Sequence, residues 1–231
     1  MTDSLDEPGT ASDAITRLRS LDVCAVSDAL DTLGLPGATV GLAPMWPSPG
    51  TVAGRVRTVK AGPRAAAGPT THIASPAVAS ARPDDVIVID NRGRTDVSCW
   101  GGLLAEAAAA AGVAGVVVDG ACRDVPECAG LDLPLFARAA VPVSARGRIV
   151  QDAMDVPVQI RGVRVRSGDL VVADRNGVAF IAAEHGERVI ALAERITARE
   201  AAMAAAVRAG RSIVEVMHDS QFPAATAEEI P

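Results

Sequence analysis

Tyrosine is absent from this 231-residue sequence, and aromatic residues together make up only 2% of it. Stacking platforms for single-stranded nucleic acid are therefore scarce, and the core has to be built from alanine, valine, leucine and isoleucine. Positive charge is also in deficit: 22 basic residues against 28 acidic ones leave a formal charge of -6, which argues against a polyanion-binding surface. Of the basic residues only Lys60 is a lysine. The four cysteines, Cys24, Cys99, Cys122 and Cys128, form no CxxC pair and are too few for a disulfide framework, so reduced thiols are expected. The strongest apolar run extends only from Ala107 to Val118, short of the ~20 residues that a membrane-spanning helix needs. Residues 1–14, MTDSLDEPGTASDA, join no basic start to an apolar stretch, so no secretory leader is expected. These absences predict a cytoplasmic protein with neither nucleic acid nor membrane as a partner.

The signatures of several common catalytic machines are missing as well. There is no GxxxxGK[ST] phosphate loop, no GxGxxG after a strand, no GxSxG elbow and no HExxH, which sets aside P-loop, dinucleotide-binding, α/β-hydrolase and zincin chemistry. The three histidines, His72, His185 and His218, are scattered and read as structural or solvent-facing.

What is present is a packed, globular composition, 49% hydrophobic and 22% charged, at a length that suits one large domain with appendages. Residues 1–12 are expected as a flexible N-terminal tail before a domain over 13–231. A helical pattern begins over Ala11 to Leu21, and Ser27 reads as the N-cap of a short helix stopped by Gly34. Gly34 to Gly50 carries four prolines and reads as loop, and Thr51 to Lys60 has the composition of a strand. From Val86 the order is strand (VIVID), loop (NRGRTDVSCWGG), helix (LLAEAAAAAG) and strand (VAGVVVD), the pattern of a parallel crossover unit. Short strands follow near 156–160, 163–166, 170–173 and 178–181, with Asp174-Arg175-Asn176-Gly177 as a hairpin turn. Glu184 to Ala209 reads as a long helix stopped at Gly210, and a second short helix is expected around Ser212 to Met217. The class is α/β: a central sheet flanked by helices, with a C-terminal helix.

The segment richest in chemistry is Trp100 to Asp124, WGGLLAEAAAAAGVAGVVVDGACRD. Gly101 and Gly102 open a helix whose first N–H groups, including those of Leu103 and Leu104, lack intrahelical acceptors and suit a carboxylate or phosphate. The alternative is that the glycines merely fit a tight strand-to-helix turn. Beyond the next strand lie Arg123 and Asp124. Open α/β sheets bind ligands at the carboxyl ends of their strands, so parallel neighbours would bring the two motifs to one crevice. There Arg123 offers a planar fork to a carboxylate and Asp124 a hard oxygen to Mg²⁺ or Mn²⁺. A local Arg-Asp ion pair remains open as the other reading.

These motifs, with SDALDTLG at 27–34 and SGDLVVADRNGV at 167–178, resemble the RraA-like family. That family includes metal-dependent 4-hydroxy-4-methyl-2-oxoglutarate/4-carboxy-4-hydroxy-2-oxoadipate aldolases, and its namesake is a regulator of ribonuclease activity. The resemblance implies a swivelling β/β/α-type domain, homotrimers or homohexamers, and active sites at subunit interfaces. It implies that Arg123 binds the substrate's pyruvyl portion, that Asp124 helps coordinate a divalent metal, and that Gly101, Gly102, Leu103 and Leu104 supply backbone donors. The family's aldolases place an acidic residue some twenty positions before the Arg-Asp pair, where this chain has Gly102. Glu106, one helical turn on and on the same face, is the candidate to reach back. Asp119 is a further candidate, and Glu200 resembles an acidic residue that family members donate from a neighbouring subunit.

The expected function is that of a divalent-metal-dependent lyase acting on a 2-oxo acid, by retro-aldol cleavage of a 4-hydroxy-2-oxo acid or by oxaloacetate decarboxylation, with pyruvate as product. Both reactions pass through an enolate that a divalent ion can stabilise. A Schiff-base route would have only Lys60 to use. The alternative is a non-enzymatic, protein-binding regulator of a ribonuclease. Methyltransferase activity on menaquinone precursors, a label carried by some similar sequences, lacks its glycine-rich cofactor loop here.

Overall fold

Valine and isoleucine runs build the centre of the molecule. In the computed structural model, which describes residues 8–47, 50–64 and 70–218, the chain begins with α1 (Pro8–Leu18) and α2 (Val23–Thr32). A two-residue β1 (Ala43–Pro44), the long β2 (Val52–Pro63), α3 (Ser75–Ala79) and β3 (Asp85–Asp90) follow. Next come α4 (Gly102–Ala110), β4 (Gly115–Cys122), α5 (Val125–Ala129) and β5 (Leu135–Ala140). The second half contributes β6 (Ile149–Met154), the hairpin β7 (Val158–Ile160) and β8 (Val163–Val165), then β9 (Leu170–Asp174) and β10 (Gly177–Ile181). A 3-10 turn (Ala183–His185) leads into the long α6 (Gly186–Arg208), and α7 (Ile213–Val216) comes last.

The main sheet runs β1-β5-β4-β3-β2-β9-β10, with β6 also on β2. Its centre, β2 to β5, is parallel, and β1, β6, β9 and β10 add antiparallel pairs. A bridge between Ala38 and Ala179 brings the chain ahead of β1 back to β10 and nearly closes the sheet. All six residues of β3 are buried. Its alternation sends Val86 and Val88 inward with Phe136 and Phe180, while Ile87 and Ile89 pack outward beneath α3 and α4. Another apolar layer joins α1, α2 and α6 to the outer face of β9 and β10. The architecture is thus the expected α/β one, a nearly closed sheet flanked by helices with a C-terminal helix. No helix among the described residues is long and apolar enough to cross a membrane.

Several local expectations need correction. Of the expected tail, residues 1–7 lie outside the described residues, while α1 already starts at Pro8, where a proline loses no helical hydrogen bond. The cap of α2 is Asp22, whose Oδ1 accepts from the Ala25 N–H at 2.8 Å, and Ser27 lies inside the helix. Starting at Val23 turns Val23 and Val26, with Leu30, into the core; a start after Ser27 would have left the two valines outside the helix. The hairpin turn at 174–177 forms as expected: Asp174 pairs with Gly177, and Asp174 Oδ1 accepts from the Asn176 N–H at 2.7 Å. The same carboxylate reaches the Val23 N–H at 3.0 Å and so ties the turn to α2.

Candidate active site

The crossover from β3 through α4 to β4 sets the site's geometry. β3 and β4 pair in parallel from Val86↔Gly115 to Asp90↔Asp119. Pairing resumes past the intervening loop, where Ser98 bridges Ala121 and the Cys99 N–H donates to the Ala121 carbonyl at 3.0 Å. The Arg123 N–H then donates to the Trp100 carbonyl at 2.9 Å. This short ladder holds the start of α4 against the end of β4, and the two motifs meet as the spacing predicts.

At the junction Asp124 adopts a left-handed conformation, φ 56°, and opens α5. Its carboxylate accepts from the Gly102 N–H at 3.1 Å and from Arg123 Nε at 2.9 and 3.0 Å. Burial works to raise its pKa, but the Gly102 N–H and the Arg123 guanidinium outweigh it and hold the carboxyl below its ordinary range. Both readings of Arg123-Asp124 therefore apply: the residues form an ion pair, and that pair faces a cavity.

Gly101 is extended, with φ -164°, a conformation open to any residue, so turn geometry does not demand glycine there. The space beside the two glycines is taken by side-chain ends: a Cβ on Gly101 would lie 2.7 Å from Asp124 Oδ2, and one on Gly102 would meet Glu127 Oε2 unless that carboxylate shifted. Glu127, from the first turn of α5, thus puts a carboxylate into the space that a side chain at 102 would fill. Sequence reasoning missed it because Glu127 approaches only through the left-handed turn at Asp124, which no spacing rule announces.

The cavity measures about 960 Å³ and is lined by Gly101, Gly102, Leu103, Leu104, Arg123 and Asp124 on one side, at the upper end of the volumes typical of small-molecule sites. Its other walls are Arg64, residues 70–73 and Ser75, and the 144–150 segment, with Trp100 and Cys99 at the floor. The first intrahelical bond of α4 runs from the Ala105 N–H to the Gly101 carbonyl at 3.1 Å. The N–H groups of Leu103 and Leu104 thus precede the helical ladder at the cavity wall. His72, read from the sequence as an isolated histidine, lines this cavity. Its Nδ1 lies 3.0 Å from the Ile73 carbonyl. A carbonyl can only accept, so Nδ1 donates. Cys99 offers no nucleophile: burial pushes its thiol far above the ordinary range.

Three other candidates lie elsewhere. Glu106 is exposed on α4 outside the cavity lining; Glu127 occupies the place it was expected to reach. Asp119 is buried and bound to Arg138 Nε at 2.6 Å and to the Arg161 N–H at 3.2 Å. Its alternation on β4 points it away from the cavity. Glu200 is exposed on α6 and acts electrostatically on Cys24 of α2, remote from the cavity lining of its own chain. Lys60 is also absent from that lining and lies 3.8 Å from Asp152.

Comparison with known proteins bears on this arrangement. A family model described as RraA-like, Aldolase/RraA, matches residues 23–180. A Halalkalibacterium halodurans protein named "Putative 4-hydroxy-4-methyl-2-oxoglutarate aldolase" is 34% identical over 89% of this chain and 95% of its own length. Protein DlpA of Legionella pneumophila is 29% identical over 94% of this chain, which spans only 35% of that relative's length. Among solved structures, Streptomyces coelicolor RraAS2, titled an unusual member of the RNase ES inhibitor RraA protein family, superposes with a TM-score of 0.73. It is 26% identical, covering 81% of this chain and 93% of its own.

Proposed function

Because the chain belongs to the RraA-like family, we propose that it is a divalent-metal-dependent carbon–carbon lyase for 2-oxo acids. It would cleave a 4-hydroxy-2-oxo acid by retro-aldol chemistry, decarboxylate oxaloacetate, or do both, releasing pyruvate. The observation that carries this reading is the meeting of Asp124, Arg123 and the open start of α4 at one cavity wall. The aldolase name of the Halalkalibacterium relative supports it.

The donor set suits a sparsely held ion. Among the described residues no three His, Cys, Asp or Glu side chains group closely enough to enclose a metal. Mg²⁺ commonly keeps several waters and takes only one or two carboxylates plus substrate oxygens. Asp124, on the cavity lining, would hold it. When bound, such an ion supplies positive charge to the substrate oxygens on which negative charge accumulates as the carbon–carbon bond breaks.

The chain's own residues do the rest. Arg123 spends Nε on Asp124 and keeps its two terminal nitrogens for the substrate carboxylate. The N–H groups of Leu103 and Leu104 add donors at the positive end of α4. His72, on the cavity lining, is the proposed proton acceptor. The four free cysteines are in keeping with a reducing compartment, and the cytoplasm is the proposed location. Homotrimeric or homohexameric assembly, with Glu200 reaching a neighbour's cavity, would use a carboxylate that has no role in its own chain's cavity.

A second reading, a non-enzymatic regulator that binds a ribonuclease, draws on the likeness to RraAS2. Turnover separates the two. Incubation with 4-hydroxy-2-oxo acids and with oxaloacetate, with Mg²⁺ or Mn²⁺ present, should release pyruvate. Rates no higher than those of the free metal ion would favour the regulator.

A further inference from the structure

His72 reaches the cavity from a turn that needs support from outside it. Ala74 is fully buried and left-handed, with φ 63°, a conformation in which an alanine persists only where its surroundings hold it. It opens α3 without a side-chain cap, and its N–H lies ahead of the helical ladder. The acceptor comes from another element: Gln151 of β6 places Oε1 3.0 Å from the Ala74 nitrogen. A backbone N–H can only donate, so the amide oxygen is the end that faces it.

The sheet explains why a glutamine arrives there. β6 pairs with β2 with one residue to spare: Lys60 faces Ala153 and Ala61 faces Gln151, which leaves Asp152 as a bulge. The extra residue lets Gln151 share a face with both Ile149 and Met154, which pack in the apolar layer that holds Ala74. The backbone of Gln151 is tied to the same segment, since its N–H donates to the Thr71 carbonyl at 3.0 Å. Ser75 braces the turn from the other side: its N–H and its hydroxyl donate to the His72 carbonyl at 3.3 and 3.1 Å.

The Ala74 N–H and the Ile73 carbonyl belong to one planar peptide group and point to opposite sides of it. Gln151 accepts from the first, and His72 Nδ1 donates to the second at 3.0 Å. Fixing one end of that plane therefore fixes the other, and the bond accepted by Gln151 polarises the carbonyl into a better acceptor. His72 is exposed, so packing does not set its ring and this bond is what orients it. In the neutral ring a proton held on Nδ1 leaves Nε2 as the acceptor nitrogen. We infer that Gln151, itself absent from the cavity lining, is a positioning residue: through the 73–74 peptide it keeps the proton of neutral His72 on Nδ1. This rests on the proposed function for what His72 does in the reaction, though not for which nitrogen carries the proton.

The test reads the tautomer directly, by nitrogen-15 NMR of the full chain labelled at histidine, at about pH 9, where an imidazole is neutral. The His72 signals are identified by their loss in His72→Gln. In the wild type the Nδ1–H form should predominate, whereas a histidine without such a bond carries its proton mainly on Nε2. Gln151→Met, equal in length but without an amide, should lower the ratio of Nδ1–H to Nε2–H about fivefold, the size of one net hydrogen bond. Gln151→Asn, too short to reach the Ala74 N–H, should do the same, and Gln151→Glu, which keeps an oxygen at that reach, should hold the wild-type ratio. The bond from the Gln151 N–H to Thr71 is a backbone one and survives in all three. A wild type dominated by Nε2–H, a ratio unmoved in both Gln151→Met and Gln151→Asn, or a Gln151→Glu that behaves like Gln151→Met would each overturn the positioning role. Pyruvate release is assayed separately, and kcat should fall with the ratio while KM holds. Tautomer control without turnover in the wild type sinks the lyase and leaves Gln151 in its role, whereas turnover with an unmoved ratio does the reverse.

Discussion

The carboxylate of Asp124 accepts from a backbone N–H and from a guanidinium while facing the cavity, so its charge and its shape can be tested apart. Asp124→Asn keeps an oxygen for the Gly102 N–H and tolerates the left-handed conformation, but removes the charge that would hold a metal. Metal-dependent pyruvate release should fall by about 100-fold or more, with the melting temperature nearly unchanged. Retained turnover with unaltered metal affinity would remove Asp124 from the role. Because its pKa is held down, Asp124 stays ionised through the ordinary carboxylate range, and the acid limb of a rate profile above about pH 4 should belong to another group. Lys60 tests the competing chemistry. It lies outside the cavity lining beside Asp152, so Lys60→Arg should keep most activity, and borohydride with substrate should trap no adduct. A covalent adduct at Lys60 would overturn the metal route.

Docking of α1 on α6 adds one arginine to the apolar layer the two helices share. Arg17 Nε and Nη2 grip the Glu194 carboxylate, each at 2.8 Å, and Nη1 reaches Glu187 at 2.7 Å. The Arg17 hydrogen bond holds the Glu194 carboxyl below its ordinary pKa. A depressed folded-state pKa stabilises above the unfolded value and is lost as pH falls through the folded one. Arg17→Met should therefore cost about 1 kcal/mol near neutrality, a figure kept small because the partners are partly exposed. The difference should vanish in urea unfolding at about pH 3. An equal cost at both pH values would assign the effect to packing. Elements with strong local signals were legible in the sequence: VIVID as a buried strand, Asn176-Gly177 as the hairpin, Gly210 beyond the last long helix. Those whose reason is tertiary were not. LFARAA at 135–140 is alanine-rich and unlike a strand, yet it pairs with β4, and Asp22 displaced Ser27 as a cap because the buried face of α2 needs Val23. The site divides in the same way. Arg123, Asp124 and the paired glycines follow from one crossover unit, whereas His72 and Arg64 reach the cavity from segments that only the folded chain brings to it.

The whole chain leaves Val207, Ile213, Val214 and Met217 exposed toward its C-terminal end, and Leu103 exposed at the cavity wall. Apolar surface of this kind favours association, and light scattering at micromolar concentration should give three or six chain masses. A stable monomer would contradict the assembly and with it the trans role of Glu200. The proposed reaction itself is tested most directly by pyruvate release from a 4-hydroxy-2-oxo acid, measured before chelation, after EDTA, and after restoring Mg²⁺ or Mn²⁺. The predicted result is loss of turnover on chelation and its return with either ion in the wild type, with no return in Asp124→Asn. Turnover that survives rigorous chelation, or that returns equally in the variant, would contradict a metal-dependent lyase centred on Arg123 and Asp124.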